Sequence, residues 1–154
     1  EVGPYAVYKR PGLDAFLSTM GACFTLAVWT SSTRPYAIPV VANIFPAGIE
    51  LAFVWARERC TPRFDPEQQD HEWTKNLGKL KRRGHRLEQV LMVDDTPAKL
   101  ARHYGNLVRI KPFFGDPADR ELFQLGEYLP TLAGAANVRT IEKRFWRRRI
   151  ADDR

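Results

Sequence analysis

Continuous runs of apolar, β-favouring residues separated by helical patterns constrain the fold of this chain most strongly. The runs cover 23–33, 49–60, 88–95 and 106–113. The apolar residues of each run are mostly consecutive rather than alternating, which is typical of strands that are buried on both faces of a parallel sheet. A repeated strand–helix order predicts an α/β fold with a mostly parallel sheet flanked by helices.

The segments between these runs carry helix signals. Apolar residues recur at helical spacing after Leu13, and Thr96–Pro97 offers an N-cap followed by proline at the first helical position. Residues 5–13 alternate like a further strand as far as the Pro11–Gly12 turn, and the polar stretch 61–73 is predicted to be a loop. The predicted helices cover 13–21, 35–46, 74–84, 97–105 and 116–134.

Length and composition place the chain among ordinary globular domains. Its 154 residues fit one folded domain at 1–136, followed by a short basic tail at 137–154. No apolar run approaches the roughly 18 residues of a membrane span, so no membrane partner is predicted. Cys23 and Cys60 do not form a disulfide framework, and reduced thiols predict a cytoplasmic protein. Oligomeric state is not readable from the sequence.

The net charge of +6 favours anionic partners. Much of the excess lies in the segments 79–86 and 143–149. A solvated face is the simpler interpretation of each segment. Nucleic-acid binding is the weaker alternative, because it calls for exposed aromatic residues among the cations, and only Phe145 and Trp146 meet that description.

Polar side chains follow two of the predicted strands. Thr30 and Ser31 end the first run, and Asp94 and Asp95 end the third. Ligands of open parallel sheets bind beyond the carboxyl ends of the strands. Hydroxyl groups at such an edge suit phosphate, and carboxylates suit Mg²⁺. Each motif taken alone also fits a local structural role, because hydroxyl side chains form hydrogen bonds within turns and aspartate side chains cap helices.

The order of these motifs along the chain resembles that of a known superfamily. A strand ending in Thr/Ser, then Lys75, then a strand ending in Asp-Asp is similar to motifs II, III and IV of the haloacid dehalogenases. The stretches VYKRPGLDAFL, VWTSSTRPYAIPV, ARERC, TKNL, LMVDDTP and IKPFFGDPADREL closely resemble the NLI-interacting-factor family, which includes phosphatases of the RNA polymerase II C-terminal domain. The resemblance implies a haloacid-dehalogenase-like (Rossmannoid) sheet with a small insertion, at 50–74, that shapes substrate choice.

The resemblance also implies roles for individual residues. Thr30 would hydrogen-bond the transferring phosphoryl group, with the N–H of Ser31 beside it. Lys75 would neutralise phosphate oxygens, whereas its local sequence alone predicts a surface lysine. Arg57 would lie near the substrate.

The two acids complete the implied site. Asp95 would bind Mg²⁺, and Asp94 would support it as a second metal-site and catalytic acid. The cofactor that the resemblance implies is therefore Mg²⁺, and the partner is a phosphorylated peptide, a nucleic-acid end or a small phosphate ester.

One family motif has no counterpart in the printed sequence. The nucleophilic D-x-D-x-[T/V] is missing, and the resemblance places it, with its central strand, before Glu1. Without that strand, 24–30 and 89–94 would face a gap, because neighbouring strands lie about 4.8 Å apart. The expected function is a Mg²⁺-dependent phosphatase that forms an aspartyl-phosphate on this upstream residue. The alternative is a catalytically inactive module that binds phosphopeptides.

Overall fold

The computed structural model describes residues 4–152. Short 3₁₀ helices at Arg57–Arg59, Leu87–Gln89, Pro97–Leu100, Tyr104–Asn106, Leu129–Leu132 and Val138–Thr140 connect the main elements. These are α1 (Leu13–Cys23), β1 (Leu26–Trp29), α2 (Arg34–Ile44), β2 (Leu51–Trp55), β3 (Thr61–Asp65), β4 (Asp70–Thr74), α3 (Gly78–Lys81), β5 (Met92–Asp94), β6 (Leu107–Arg109), α4 (Glu121–Tyr128) and α5 (Trp146–Asp152).

The strands form three pairs. β1 with β2 and β5 with β6 are parallel, and β3 with β4 is antiparallel. The mixed α/β organisation and the parallel pairing of the apolar runs are therefore confirmed. A single continuous sheet is not formed within residues 4–152, because β1 is paired only with β2 and β5 only with β6.

The predicted loop at 61–73 is wrong, because β3 and β4 form a hairpin there. Asp65 pairs with Asp70 at its end, and the Asp65 side chain accepts hydrogen bonds from the N–H groups of Glu67 and Gln68. Residues 61–64 of β3 are exposed. A strand with little buried surface carries no apolar pattern, so its polar sequence favoured a loop.

The predicted strand at 5–13 is also wrong. Tyr5 forms an isolated bridge, and residues 6–10 belong to no strand. Side chains hold this segment instead. Arg10 forms two hydrogen bonds with Asp119, at 2.9 and 2.7 Å, and donates a third to the carbonyl of Lys111.

Several predicted helices exist with different bounds. α1 continues past Gly21 to Cys23, and α3 is a single turn, Gly78–Lys81. The α-helix predicted at 97–105 is wrong, since only the 3₁₀ turn Pro97–Leu100 and the start of the 3₁₀ turn Tyr104–Asn106 form there. The helix predicted from 116 begins at Glu121, after a loop.

Two apolar clusters form the core. The larger joins α1, α4, α5 and β6, and Trp146 lies fully buried within it, stacked on Tyr128 with 5.5 Å between ring centroids. The prediction that Trp146 is exposed is therefore wrong, because this side chain anchors α5 to the core. The smaller cluster contains Trp29 and Trp55, whose rings meet edge to face at 4.9 Å.

Both cysteines are free thiols, Cys23 exposed and Cys60 buried. Across residues 4–152, the structure contains no helix with the length and apolar character needed to cross a bilayer.

Candidate functional site

A buried ion pair lies at the carboxyl end of β5. The ammonium of Lys75 and the carboxylate of Asp94 are 2.6 Å apart, and each side chain is 6% exposed. The other carboxylate oxygen of Asp94 accepts the N–H of Thr96 at 2.9 Å. Lys75 is therefore not the surface lysine that its sequence context alone suggested. Both oxygens of Asp94 are occupied by these contacts, so this acid orients Lys75.

The hydroxyl residues lie at the carboxyl end of β1. Thr30 continues the ladder by donating its N–H to the carbonyl of Trp55 at 2.8 Å. Its side-chain oxygen accepts the N–H of Ser32 at 3.1 Å, which is a local turn interaction. The Ser31 hydroxyl meets the ammonium of Lys99 at 3.0 Å.

Lys99 connects the two strand ends. It lies in the 3₁₀ turn after Asp94 and Asp95, and its carbonyl accepts the N–H of Lys75 at 2.7 Å. Because its ammonium reaches Ser31, the tips of β1 and β5 meet at the same edge of the molecule. Sequence analysis missed this residue, since nothing in the stretch DDTPAKL indicates a contact with a residue 68 positions earlier.

Arg57 lies on the other side of Ser31. Its Nε donates to the Ser31 carbonyl at 2.8 Å, and its backbone N–H donates to the carbonyl of Ser32 at 2.9 Å. Its guanidinium lies 5.4 Å from the ring centroid of Trp73 in β4. The β3–β4 hairpin of the insertion is thereby joined to this edge.

Asp95 faces solvent. Its Oδ1 accepts the hydroxyl of Thr96 at 2.8 Å. Across residues 4–152, no three His, Cys, Asp or Glu side chains converge into a metal-binding group. Mg²⁺ takes one or two carboxylates and completes its shell with water and substrate phosphate. The exposed Asp95 fits that requirement, and the neighbouring Asp94 has the Lys75 ammonium and the N–H of Thr96 as its present partners.

The charges at this edge favour an anion. Lys75, Lys99 and Arg57 contribute three cations, and Asp94 and Asp95 contribute two acids. Asp94 neutralises Lys75 in part, so the positive charge of Lys99 and Arg57 lies beside the half-buried Ser31. The arrangement can bind a phosphate group through an ammonium, a guanidinium and a hydroxyl.

The fold is mixed α/β, and the cations and hydroxyl groups of the predicted motifs lie together at one edge of it. A sequence model of the NLI interacting factor-like phosphatase family matches residues 1–139. The chain belongs to that family, as its motifs predicted.

Individual relatives agree with this assignment. The chain is 34% identical over 136 residues to human carboxy-terminal domain RNA polymerase II polypeptide A small phosphatase 2, covering 87% of the chain and 46% of that protein. It is 31% identical over 142 residues to human CTD small phosphatase-like protein, covering 92% and 48%. It is 28% identical over 137 residues to nuclear envelope morphology protein 1 of Schizosaccharomyces pombe, covering 89% and 27%. The chain thus spans less than half the length of these relatives.

Proposed function

We propose that this chain carries most of the active site of a Mg²⁺-dependent phosphatase that hydrolyses phosphate monoesters. The observation that carries the proposal is the buried pair of Lys75 and Asp94, joined through Lys99 to Ser31. Burying a charged side chain costs free energy unless an opposite charge is paired with it. The pairing with Asp94 therefore holds the Lys75 ammonium rigidly at the end of the strand. The names of the relatives support the same activity.

Each residue at this edge has a different role in the proposed reaction. Asp94 holds the Lys75 ammonium in one orientation, and the remaining N–H groups of Lys75 face the phosphoryl oxygens as charge develops on them. The Thr30 hydroxyl and the Ser31 N–H orient the phosphoryl group. Lys99 and Arg57 attract the dianion. Phosphoryl transfer depends mainly on such positioning and charge stabilisation.

Mg²⁺ would be held at Asp95. Its chemistry there would be to neutralise phosphate charge. The proposal also requires a nucleophilic aspartate, which would form the aspartyl-phosphate intermediate and which is none of the residues assigned above. The strand that bears it would fill the space between β1 and β5, since each has one edge without a partner strand within residues 4–152. That strand would also complete a Rossmannoid sheet.

The test is hydrolysis of p-nitrophenyl phosphate by the natural full-length protein with Mg²⁺. Lys75→Ala is expected to lower kcat by about 10²–10³, as the loss of an oxyanion donor does. Lys99→Met, at a less buried position, is expected to raise KM more than it lowers kcat. Lys9→Met is the control, because its ion pair with Asp14 is exposed. Wild-type protein that releases no phosphate with Mg²⁺ contradicts the proposal.

The second candidate function is a phosphopeptide-binding module without catalysis. The observation that favours it is the missing D-x-D-x-[T/V] motif in the printed sequence. Its signature is saturable binding of a phosphoserine peptide, weakened by Lys99→Met, with no release of phosphate. Turnover of the same peptide rules this candidate out.

A further inference from the structure

A second positively charged site lies away from the phosphate edge. A groove of about 550 Å³ runs between the 3₁₀ turn Tyr104–Asn106, the end of β6 and residues 139–145. We call it the arginine groove. Its cationic lining side chains are those of Arg109, Arg139, Lys143 and Arg144, and its acid is Glu142.

The arginine groove has free positive charge. Arg109 and Arg139 are exposed, and neither forms an ion pair with any residue in the part of the chain that the structure describes. Glu142 is already paired with Arg144 at 2.7 Å. The ammonium of Lys143 is buried, with the carbonyls of Val138 and Ile141 as its acceptors. An anion entering the groove therefore meets two uncompensated guanidinium groups.

Cations from other segments add to the positive charge near the groove. Burial, followed by the charges of Arg139, Lys81 and Arg102, lowers the pKa of His103, so each of these cations acts on the same imidazole. Lys81 belongs to the basic segment 79–86, and Arg139 lines the groove.

Exposed aromatic rings accompany these cations. Tyr104 and Phe145 both line the groove, and each is 53% exposed. The guanidinium groups of Arg144 and Arg148 lie 5.8 and 4.9 Å from the Phe145 centroid. The next residue, Trp146, is fully buried, so the core accounts for Trp146 but not for the exposure of Phe145.

We propose that the arginine groove binds single-stranded nucleic acid. Arg109 and Arg139 contact backbone phosphates, and bases stack on Tyr104 and Phe145. Grooves that combine cations with exposed aromatic rings bind single strands in this way, because every base offers a face for stacking. An acidic peptide would use the cations but would not use the exposed surface of the two rings. The inference does not depend on phosphatase activity.

The experiment measures fluorescence anisotropy of a labelled 15-nucleotide oligo-dT with the full protein in 50 mM salt. Arg109→Gln/Arg139→Gln is expected to weaken binding and to reduce the slope of log K against log salt by about 1.4, since each single-strand phosphate contact contributes about 0.7. Arg34→Gln/Arg63→Gln removes the same charge from exposed positions elsewhere and should reduce the slope less.

The aromatic residues separate nucleic acid from other polyanions. Tyr104→Ala/Phe145→Ala is expected to weaken oligo-dT binding at least about fivefold, from the loss of base stacking. The same variant should bind an abasic oligonucleotide as the wild type does. Equal wild-type affinity for oligo-dT, abasic strand and polyglutamate overturns the proposal, as does no binding of oligo-dT. Lys99→Met should weaken oligo-dT binding less than Arg109→Gln/Arg139→Gln does, which separates this site from the phosphate edge.

Discussion

The buried pair of Lys75 and Asp94 gives the sharpest test of the local energetics. Asp94→Asn keeps an oxygen for the N–H of Thr96 but removes the charge that faces Lys75 at 2.6 Å. Because both side chains are only 6% exposed, water cannot replace the lost partner. Leaving one charge of a buried pair uncompensated costs about 3–5 kcal/mol. The melting temperature of a domain of this size should fall by about 2–4 °C for each kcal/mol.

Urea unfolding followed by tryptophan fluorescence measures this cost. Asp14→Asn is the matched control, because its pair with Lys9 is exposed at both partners and should contribute less than about 1 kcal/mol. The double variant Lys75→Met/Asp94→Leu should regain much of the lost stability, since no isolated charge remains buried. If Asp94→Asn costs no more than Asp14→Asn, the inference that the pair is desolvated is refuted.

Three further predictions concern residues that stabilise the fold. Gly12→Ala should lower the free energy of unfolding in urea more than Gly48→Ala does. Both glycines have a positive φ, 80° at Gly12 and 89° at Gly48. Only at Gly12 would the new Cβ contact a ring, that of Phe123 at 2.9 Å. Trp146→Ala should cost about 3–5 kcal/mol of unfolding free energy, and a cost below 1 would show that α5 is not part of the core. The hydrogen bond from Arg10 lowers the pKa of Asp119, so this stabilisation is present above about pH 4 and lost as pH falls through the folded-state pKa. Asp119→Asn should therefore be less stable than wild type at neutral pH, with the difference shrinking in acid unfolding curves.

The elements that follow most directly from the sequence are the strands with continuous apolar runs. The runs that contain Trp29 and Asp94 form parallel pairs, which is the arrangement that such runs favour. The hairpin at 61–74 was missed because its strands are largely exposed and polar. Trp146 was assigned to a solvated tail, since a single buried ring among arginines gives no periodic signal.

The residues of the site were likewise predicted only in part. Lys75 and Asp94 were predicted together, through a resemblance of ordered motifs, and the structure gives their contact. Lys99 could not be predicted, because its role depends on a tertiary contact with Ser31. The different partners of Asp94 and Asp95 were equally unreadable, since adjacent residues in a strand end point to different sides.

A crystal structure of the protein with Mg²⁺ and tungstate, a phosphate mimic, tests the central claim most directly. The account predicts tungstate within hydrogen-bonding distance of Lys75 and the Ser31 backbone, with the Lys99 ammonium turned toward it and Mg²⁺ at Asp95. Tungstate bound only at other surfaces, with Lys75 and Lys99 keeping their present partners alone, would contradict it.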